Sequence, residues 1–428
     1  MPDTIRAHAG EILELTLTSF SGVSHDVKAL IVDATINMSL FNKAIFGTFT
    51  LVDGVGIHYL LPLIGEETFS LSFRSRGREI KELKGHIISC SDQEFDDSYQ
   101  SMTYTLDFVS EIGFQNIVAN KVSHYTNAQP ADAIRDIANN FLDLDKFVET
   151  LDEPYARNVE IIYPKITPFG AIDMICARTY EGRSNRSSMF VFFEDLDAYR
   201  FVNIESLFEQ TVVPDYFFDV FESGASKTRD KEFYRIIDMS FKQKFDTVSR
   251  INNGLIDSEL IRFDPITKRV NVSHYHYNED ARNFTPLDGS TFIPSATSNF
   301  MTRYEHKDDT TTDIGRTALQ SYKVQNQLDP FEFKRLGYGK AMEILESIMQ
   351  TQIDITVPGH TGRRPGDLIN IPSFPRGTSF KAGTNREEYL EGRYLVTGVK
   401  HTFNQGEITT ILSLAKPQFA KPIVSVEI

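Results

Sequence analysis

Tryptophan is absent from this chain of 428 residues, and cysteine occurs only twice, at Cys90 and Cys176. Each cysteine stands alone in apolar surroundings. Both read as buried small residues, not as a disulfide or a metal site, which suits assembly in a reducing cytoplasm. No apolar run reaches the ~18 residues of a membrane span. The opening MPDTIRAHAGEILELTL lacks a basic segment followed by an apolar core, so no secretory leader is expected. Basic residues are outnumbered by acidic ones, for a formal net charge of −15. Gripping nucleic acid takes clustered Lys and Arg, which this balance opposes. An acidic surface along which nucleic acid slides without sticking remains compatible with it, and so does charge that serves only to keep the protein in solution.

Catalytic signatures are missing as well. There is no HExxH, GxSxG, P-loop, CxxC pair or dinucleotide fingerprint. Carboxylate pairs such as Glu66/Glu67, Asp96/Asp97 and Asp308/Asp309 read as solvated loops, because adjacency cannot place two acids across a cleft. His274 and His276 could share a strand face, but no third metal ligand stands at recognisable spacing. Asp308–Asp313 lacks the Gly and terminal Glu of a calcium loop. No cofactor, metal site or catalytic residue is therefore expected.

What is present is a set of strand patterns. Hydrophobic content of 41% and charge of 24% are those of a globular protein with two to four domains. Over residues 1–112, Leu13–Leu17 and Phe46–Val52 alternate, and a short apolar stretch lies around Tyr59–Leu63. Phe69, Leu71 and Phe73 alternate again, and Ile87–Ser91 with Met102–Val109 make a hairpin, so a barrel or sandwich is expected. Residues 113–213 change character. Gln129-Pro130 opens a helix with Ile134, Ile137, Ala138 and Phe141 on one face. Thr167-Pro168 opens a second with Ile172, Ile175 and Cys176 inward, and the strands Met189–Phe193 and Tyr199–Asn203 follow. That is an α+β domain.

Residues 214–415 read as a second β domain. Strands are expected over Ile236–Phe241, Gly254–Phe263 and Val270–His276. A polar, exposed excursion follows around 265–330, then a helix at 337–350 with Ala341, Ile344, Leu345 and Ile348 on one face. Ile353, Ile355 and Val357 alternate, Pro365-Gly366-Asp367 turns a corner, and Tyr394–His401 with Ile408–Leu414 form a hairpin around Asn404-Gln405-Gly406. Residues 416–428 form a tail. Phe190, Phe192, Phe193, Phe201, Phe208, Phe217, Phe218 and Phe221 crowd one region, as a core or as a subunit interface.

A faint internal echo links the two β regions. LIGEETFSLSF then GHIISCSDQEFDDSYQSMTYTLDFVS parallels RRPGDLINIPSF then GRYLVTGVKHTFNQGEITTILSLAK. A Gly-acid corner opens a strand in each, and a Gly (Gly85, Gly392) opens a later strand. A Phe (Phe95, Phe403) precedes that strand's turn. Any two β-hairpins share some of this.

Three features together resemble the baseplate hub proteins of contractile-tailed phages, which are related to the N-terminal part of type VI secretion spike proteins. They are FGTFTLVD with LPLIGEETFSLSF; QPADAIRDIANNFL, KITPFGAIDMICARTY and MFVFFEDLDAYRFVNIESLF; and VPGHTGRRPGDLINI with the closing hairpin. One departure is Ala198, where the family's hairpin turn often carries Gly. The resemblance implies a mainly β, α+β chain: two similar β-barrel tube domains separated by an α+β domain, assembling as a pseudo-sixfold homotrimer. Such a virion protein, assembled in the host cytoplasm, has no enzymatic role. It joins a tail tube or distal tail protein to a central spike protein, contacts other baseplate subunits, and meets DNA only in transit. Phe46, Phe49, Leu51, Ile353, Ile355 and Val357 are the expected ring contacts, on edge strands. Ile423, Val424 and Val426 of the tail are expected to add a strand to a partner. The alternatives are a virion-associated cell-wall glycan hydrolase and a receptor-binding tail component.

Overall fold

The computed structural model describes residues 10–60, 63–75, 77–97, 100–142, 148–150, 158–179, 189–211, 214–218, 231–243, 257–264, 269–276, 316–321, 351–372, 374–375, 386–387, 391–404 and 406–416. Over residues 10–110 these form β1 (Gly10–Thr18), β2 (Ser24–Asp26), β3 (Ile31–Ser39), β4 (Phe46–Asp53), the one-turn helix α1 (Ile57–Leu60), β5 (Thr68–Ser75), β6 (Lys81–Phe95) and β7 (Met102–Ser110). A mixed segment follows: α2 (Glu111–Val118), β8 (Tyr125–Ala128), α3 (Pro130–Ile137), β9 (Val148–Thr150), β10 (Val159–Ile162), α4 (Pro168–Cys176), β11 (Phe190–Glu194), β12 (Tyr199–Asn203) and α5 (Ile204–Leu207). The remainder is strands: β13 (Phe217–Phe218), β14 (Arg235–Ile236), β15 (Asp238–Gln243), β16 (Asp257–Asp264), β17 (Arg269–His276) and β18 (Arg316–Ser321). Then come β19 (Thr351–Pro358), β20 (Leu368–Ile371), β21 (Phe374–Pro375), β22 (Arg386–Glu387), β23 (Gly392–Asn404) and β24 (Glu407–Lys416). The expected helix at 337–350 and the tail residues Ile423, Val424 and Val426 lie outside the described residues.

The chain is mainly β, and its strands join differently from the sequence expectation. Two separate barrels were expected; among the described residues no closed barrel is present. Instead one twelve-stranded sheet runs β15-β19-β24-β23-β3-β4-β7-β6-β5-β1-β2, with β20 attached to β23. The joint is β23 with β3, antiparallel from Gly398↔Ser39 to Asn404↔Asp33. Alternation puts one face of each strand inward. One core then spans both sequence regions, with Leu15, Ile36, Phe49, Leu71 and Phe108 packed in the same cluster as Ile355, Val396, Leu412 and Leu414. Phe49 stacks on Phe108 with ring centroids 4.5 Å apart, and Phe73 meets Phe403 edge-on at 5.4 Å across the two regions.

The sheet contains the same five-strand unit twice. In the first unit the order is β3-β4-β7-β6-β5, and in the second it is β15-β19-β24-β23-β20, every neighbour antiparallel. The internal echo is therefore a repeat of topology. Each corner turns on a glycine with positive φ, Gly65 at 91° and Gly366 at 89°, although Gly65 lies two residues before Glu67 and Gly366 one residue before Asp367. The Glu67 carbonyl accepts from Ile87 N, as the Asp367 carbonyl accepts from Val396 N. Phe95 pairs with Met102 as Phe403 pairs with Ile408. Gly85 and Gly392 are not equivalent, since Gly85 pairs with Phe69 and the residue in its place is Tyr394, paired with Ile369.

Between the units, α3 and α4 form where expected. Pro130 and Pro168 stand in the first turns, and the Thr167 hydroxyl accepts from Gly170 N at 3.2 Å. Ile134, Ile137, Ile172 and Ile175 share a core with Phe190, Phe192, Tyr199 and Phe201. Phe193 and Phe208 are buried too, so these members of the Phe-rich region are core. The β11–β12 turn closes without glycine because the Asp195 carboxylate accepts from Asp197 N and Ala198 N, at 2.7 and 2.8 Å. Three ties hold this body to the first unit: buried Glu194 accepts from Ile45 N at 2.9 Å and from the Ser110 hydroxyl, and Lys43–Asp173 and Lys81–Asp197 pair at 2.6 Å.

Candidate functional site

The expected ring contacts are mostly inside the molecule. Phe49, Leu51, Ile353, Ile355 and Val357 are all 0% exposed, whereas Phe46 is 43% exposed. β4 and β19 are interior strands, each flanked on both sides, and their alternation turns these five side chains into the core. Phe46, three residues before Phe49, points the other way. Position in the sheet, which local periodicity does not encode, separates the expectation from the finding.

Titratable groups in the sheet are arranged for packing. His401 in β23 is fully buried and its Nδ1 lies 2.9 Å from the Thr410 hydroxyl. Burial, reinforced by the Arg363 charge, lowers its pKa to about 4. His360 at the end of β19 is lowered to about 3 by burial and by Arg363 and Arg78. Arg363 itself is buried between the rings of Tyr216 and Tyr234, 4.9 and 4.8 Å from their centroids. The Asp53 carboxylate accepts from Val55, Gly56 and His58 N and lies 2.6 Å from His58 Nδ1. Burial opposes its ionisation, but these donors prevail and hold its pKa at about 2. They also wind the stretch after Asp53 into α1, where the sequence was read as an apolar run.

A recess of about 500 Å³ beside the second corner is lined by Glu209, Gln210, Thr211, Pro214, Arg363, Arg364, Asp367 and Leu368. Its carboxylate Asp367 is held by Arg364 Nε at 3.0 Å. Among the described residues no cluster of three or more His, Cys, Asp or Glu could hold a metal. Also among them, no helix is long and apolar enough to cross a membrane. His274 and His276 fall within β17.

The surfaces left for function are strand edges. Among the described residues the sheet ends at β15, which pairs only with β19. A second edge lies in mid-sheet. β5 covers β6 only as far as His86. After a bulge at Ile88, β6 runs on from Ser89 to Phe95 beside β7, with no described strand on its other side. β23 is built alike, with β20 ending at Leu395 and a bulge at Thr397. There the extension Gly398–Asn404 is occupied by β3. The sequence reading overlooked β3. Its alternation, Ala34, Ile36 and Met38 inward against Thr35 and Asn37, was the available signal.

No protein-family model matches the chain. No curated protein matches it. Solved structures do. The tail protein from Neisseria meningitidis MC58 superposes with a TM-score of 0.53 at 14% identity, covering 94% of this chain and 96% of that one. The 43 kDa tail protein of prophage MuSo2 from Shewanella oneidensis gives a TM-score of 0.51 at 10% identity, covering 94% and 97%. The chain thus has, along nearly its whole length, the fold of phage tail proteins, in line with its resemblance to the baseplate hub family.

Proposed function

We propose that the chain is a structural subunit of a phage tail baseplate. Three copies form a hub that joins the six-fold tail tube, or a distal tail protein, to the three-fold central spike and surrounds the path of the DNA. The observation that carries this reading is the repeated five-strand unit. One chain presents two equivalent surfaces, so three chains present six, and a threefold ring can stack on a sixfold one. The likeness to two solved tail proteins supports the same reading. The formal charge of −15 per chain suits a channel that does not retain DNA. In this hub the 416–428 tail, with Ile423, Val424 and Val426, adds a strand to a neighbouring baseplate subunit. The outward-facing Phe46 belongs to a ring contact.

Light scattering tests the assembly. The expected particle has three times the 48.7 kDa chain mass. A monomer at micromolar concentration, with the spike partner present, contradicts the reading. Clearing of cell-wall glycan by the purified chain in a zymogram would replace it with the hydrolase alternative.

A further inference from the structure

Among the described residues the chain contains one complete joint between its repeated units and the two halves of another. In the complete joint, the first strand of the first unit (β3) pairs with the bulged extension of the fourth strand of the second unit (β23). The unmade joint would reverse the units, with the first strand of the second unit (β15) against the bulged extension of the fourth strand of the first (β6). Within one chain these two edges sit at opposite ends of the repeat, with the complete joint between them. We propose that β15 of one copy pairs antiparallel with Ser89–Phe95 of β6 in a second copy, so that the sheet continues from chain to chain. This rests on the hub reading and specifies its contact.

Equivalence fixes the register. β15 pairs with β19 as β3 pairs with β4: Asp238, Met239, Ser240 and Phe241 stand where Asp33, Ala34, Thr35 and Ile36 stand. On the other side, Cys90, Glu94 and Phe95 occupy the places of Val399, Thr402 and Phe403. In the complete joint Ala34 faces Phe403 and Thr35 faces Thr402. Met239 therefore faces Phe95, and Ser240 faces Glu94. Phe241 falls opposite the second bulge of β6, where Asp92 has a φ of 53°.

Burial agrees. Where the joint is made, Ile36 and Val399 are 0% and 2% exposed. At the edges with no described partner strand, Phe241, the counterpart of Ile36, is 47% exposed, and Phe95 is 52% exposed where its counterpart Phe403 is 5% exposed, apolar area that a paired strand would cover. The joint is heterologous, with one edge of each kind per chain; such a contact closes into a ring when its rotation divides a full turn, as three copies of the hub require.

The test is a disulfide across the contact. In full-length protein carrying Cys90→Ser, Met239→Cys is combined with Phe95→Cys, or with Ile88→Cys as an out-of-register control. Cys176 is buried, and burial pushes its thiol up to about 12, so it stays out of the reaction. Oxidation with copper phenanthroline should link the Met239/Phe95 variant into a ladder ending at the ring, with several-fold more product than the control. Light scattering before oxidation reports assembly separately. Assembly without the in-register disulfide would overturn this contact and leave the hub reading standing; the bulge and acids of β6 would then be devices that protect a bare edge. A monomer before oxidation would overturn both.

Discussion

Phe403 and Phe95 hold the same place in the two five-strand units, yet one is 5% exposed and the other 52%. Each closes the long strand of its unit against one antiparallel partner, Met102 for Phe95 and Ile408 for Phe403, after a bulge at Ile88 or Thr397; β6 carries a further bulge between Ser91 and Glu94. What differs is the other side, where β23 has β3 and β6 has no described strand. Burial at this position is thus set by a joint and not by the unit that carries the residue. The duplicated unit offers this joint twice, and among the described residues it is completed once, between β3 and β23.

The comparison breaks most directly at its buried member. Phe403→Ala should cost about 3–5 kcal/mol in chemical denaturation, because Phe403 packs edge-on against Phe73 between the units. Phe95→Ala should change the stability of isolated chains by about 0.5 kcal/mol or less and weaken their assembly. Equal losses from both would mean the two positions are not related as described.

Next in size is a difference in how the units fill the same space. Gly47 stands where the second unit has Ile353, and Phe108 stands where it has Leu414. A Cβ on Gly47 would lie 1.9 Å from the Thr35 carbonyl oxygen and 2.6 Å from the Phe108 ring. Gly47→Ala should therefore destabilise by about 3 kcal/mol through overpacking. Adding Phe108→Leu should recover part of that loss, since it removes the ring but not the carbonyl. A double-mutant cycle on thermal unfolding reads the coupling.

A smaller effect compares the two left-handed glycines of the corners, which share a φ but stand one position apart in the units. Gly65→Ala and Gly366→Ala each force a side chain onto a left-handed backbone, at a cost of about 1–2 kcal/mol. No atom lies within 4 Å of a Cβ at Gly65, and the nearest at Gly366 is Leu207 Cδ1 at 3.4 Å. The two losses should match within about 0.5 kcal/mol.

Acid should destabilise the fold through the second unit. His360 and His401 belong to the second unit, and both have folded-state pKa values lowered from 6.5, to about 3 and about 4. The unfolded chain binds these protons more readily. Stability is then full above pH 6.5 and falls as pH drops from 6.5 toward 4, by up to about 1.4 kcal/mol per pH unit for each histidine. His401→Gln should flatten that slope in urea titrations at stepped pH.

Much of this fold is legible in the sequence because local chemistry dictates it. Pro130, Thr167 and Pro168 mark helix starts, and alternation marks Phe69–Phe73 and Ile353–Val357. α2 was not legible, since Ser110 ends β7 and caps nothing with its side chain. β3 was faint because its inward residues include Ala34, a weak hydrophobic signal. The joint between β3 and β23 links residues more than 350 positions apart, and no local period reports which strands become neighbours. Alternation alone therefore makes the buried Phe49, Leu51, Ile353, Ile355 and Val357 look like edge contacts, and it hides the edges that β6 and β15 form among the described residues.

Three chains carrying two equivalent units should form a sixfold wall. An electron-microscopy class average of the purified full-length protein, viewed down the ring axis, should show a three-fold particle with six inner lobes around a central channel. Single-chain particles, or a closed ring with a lobe number other than six, would contradict the sixfold wall.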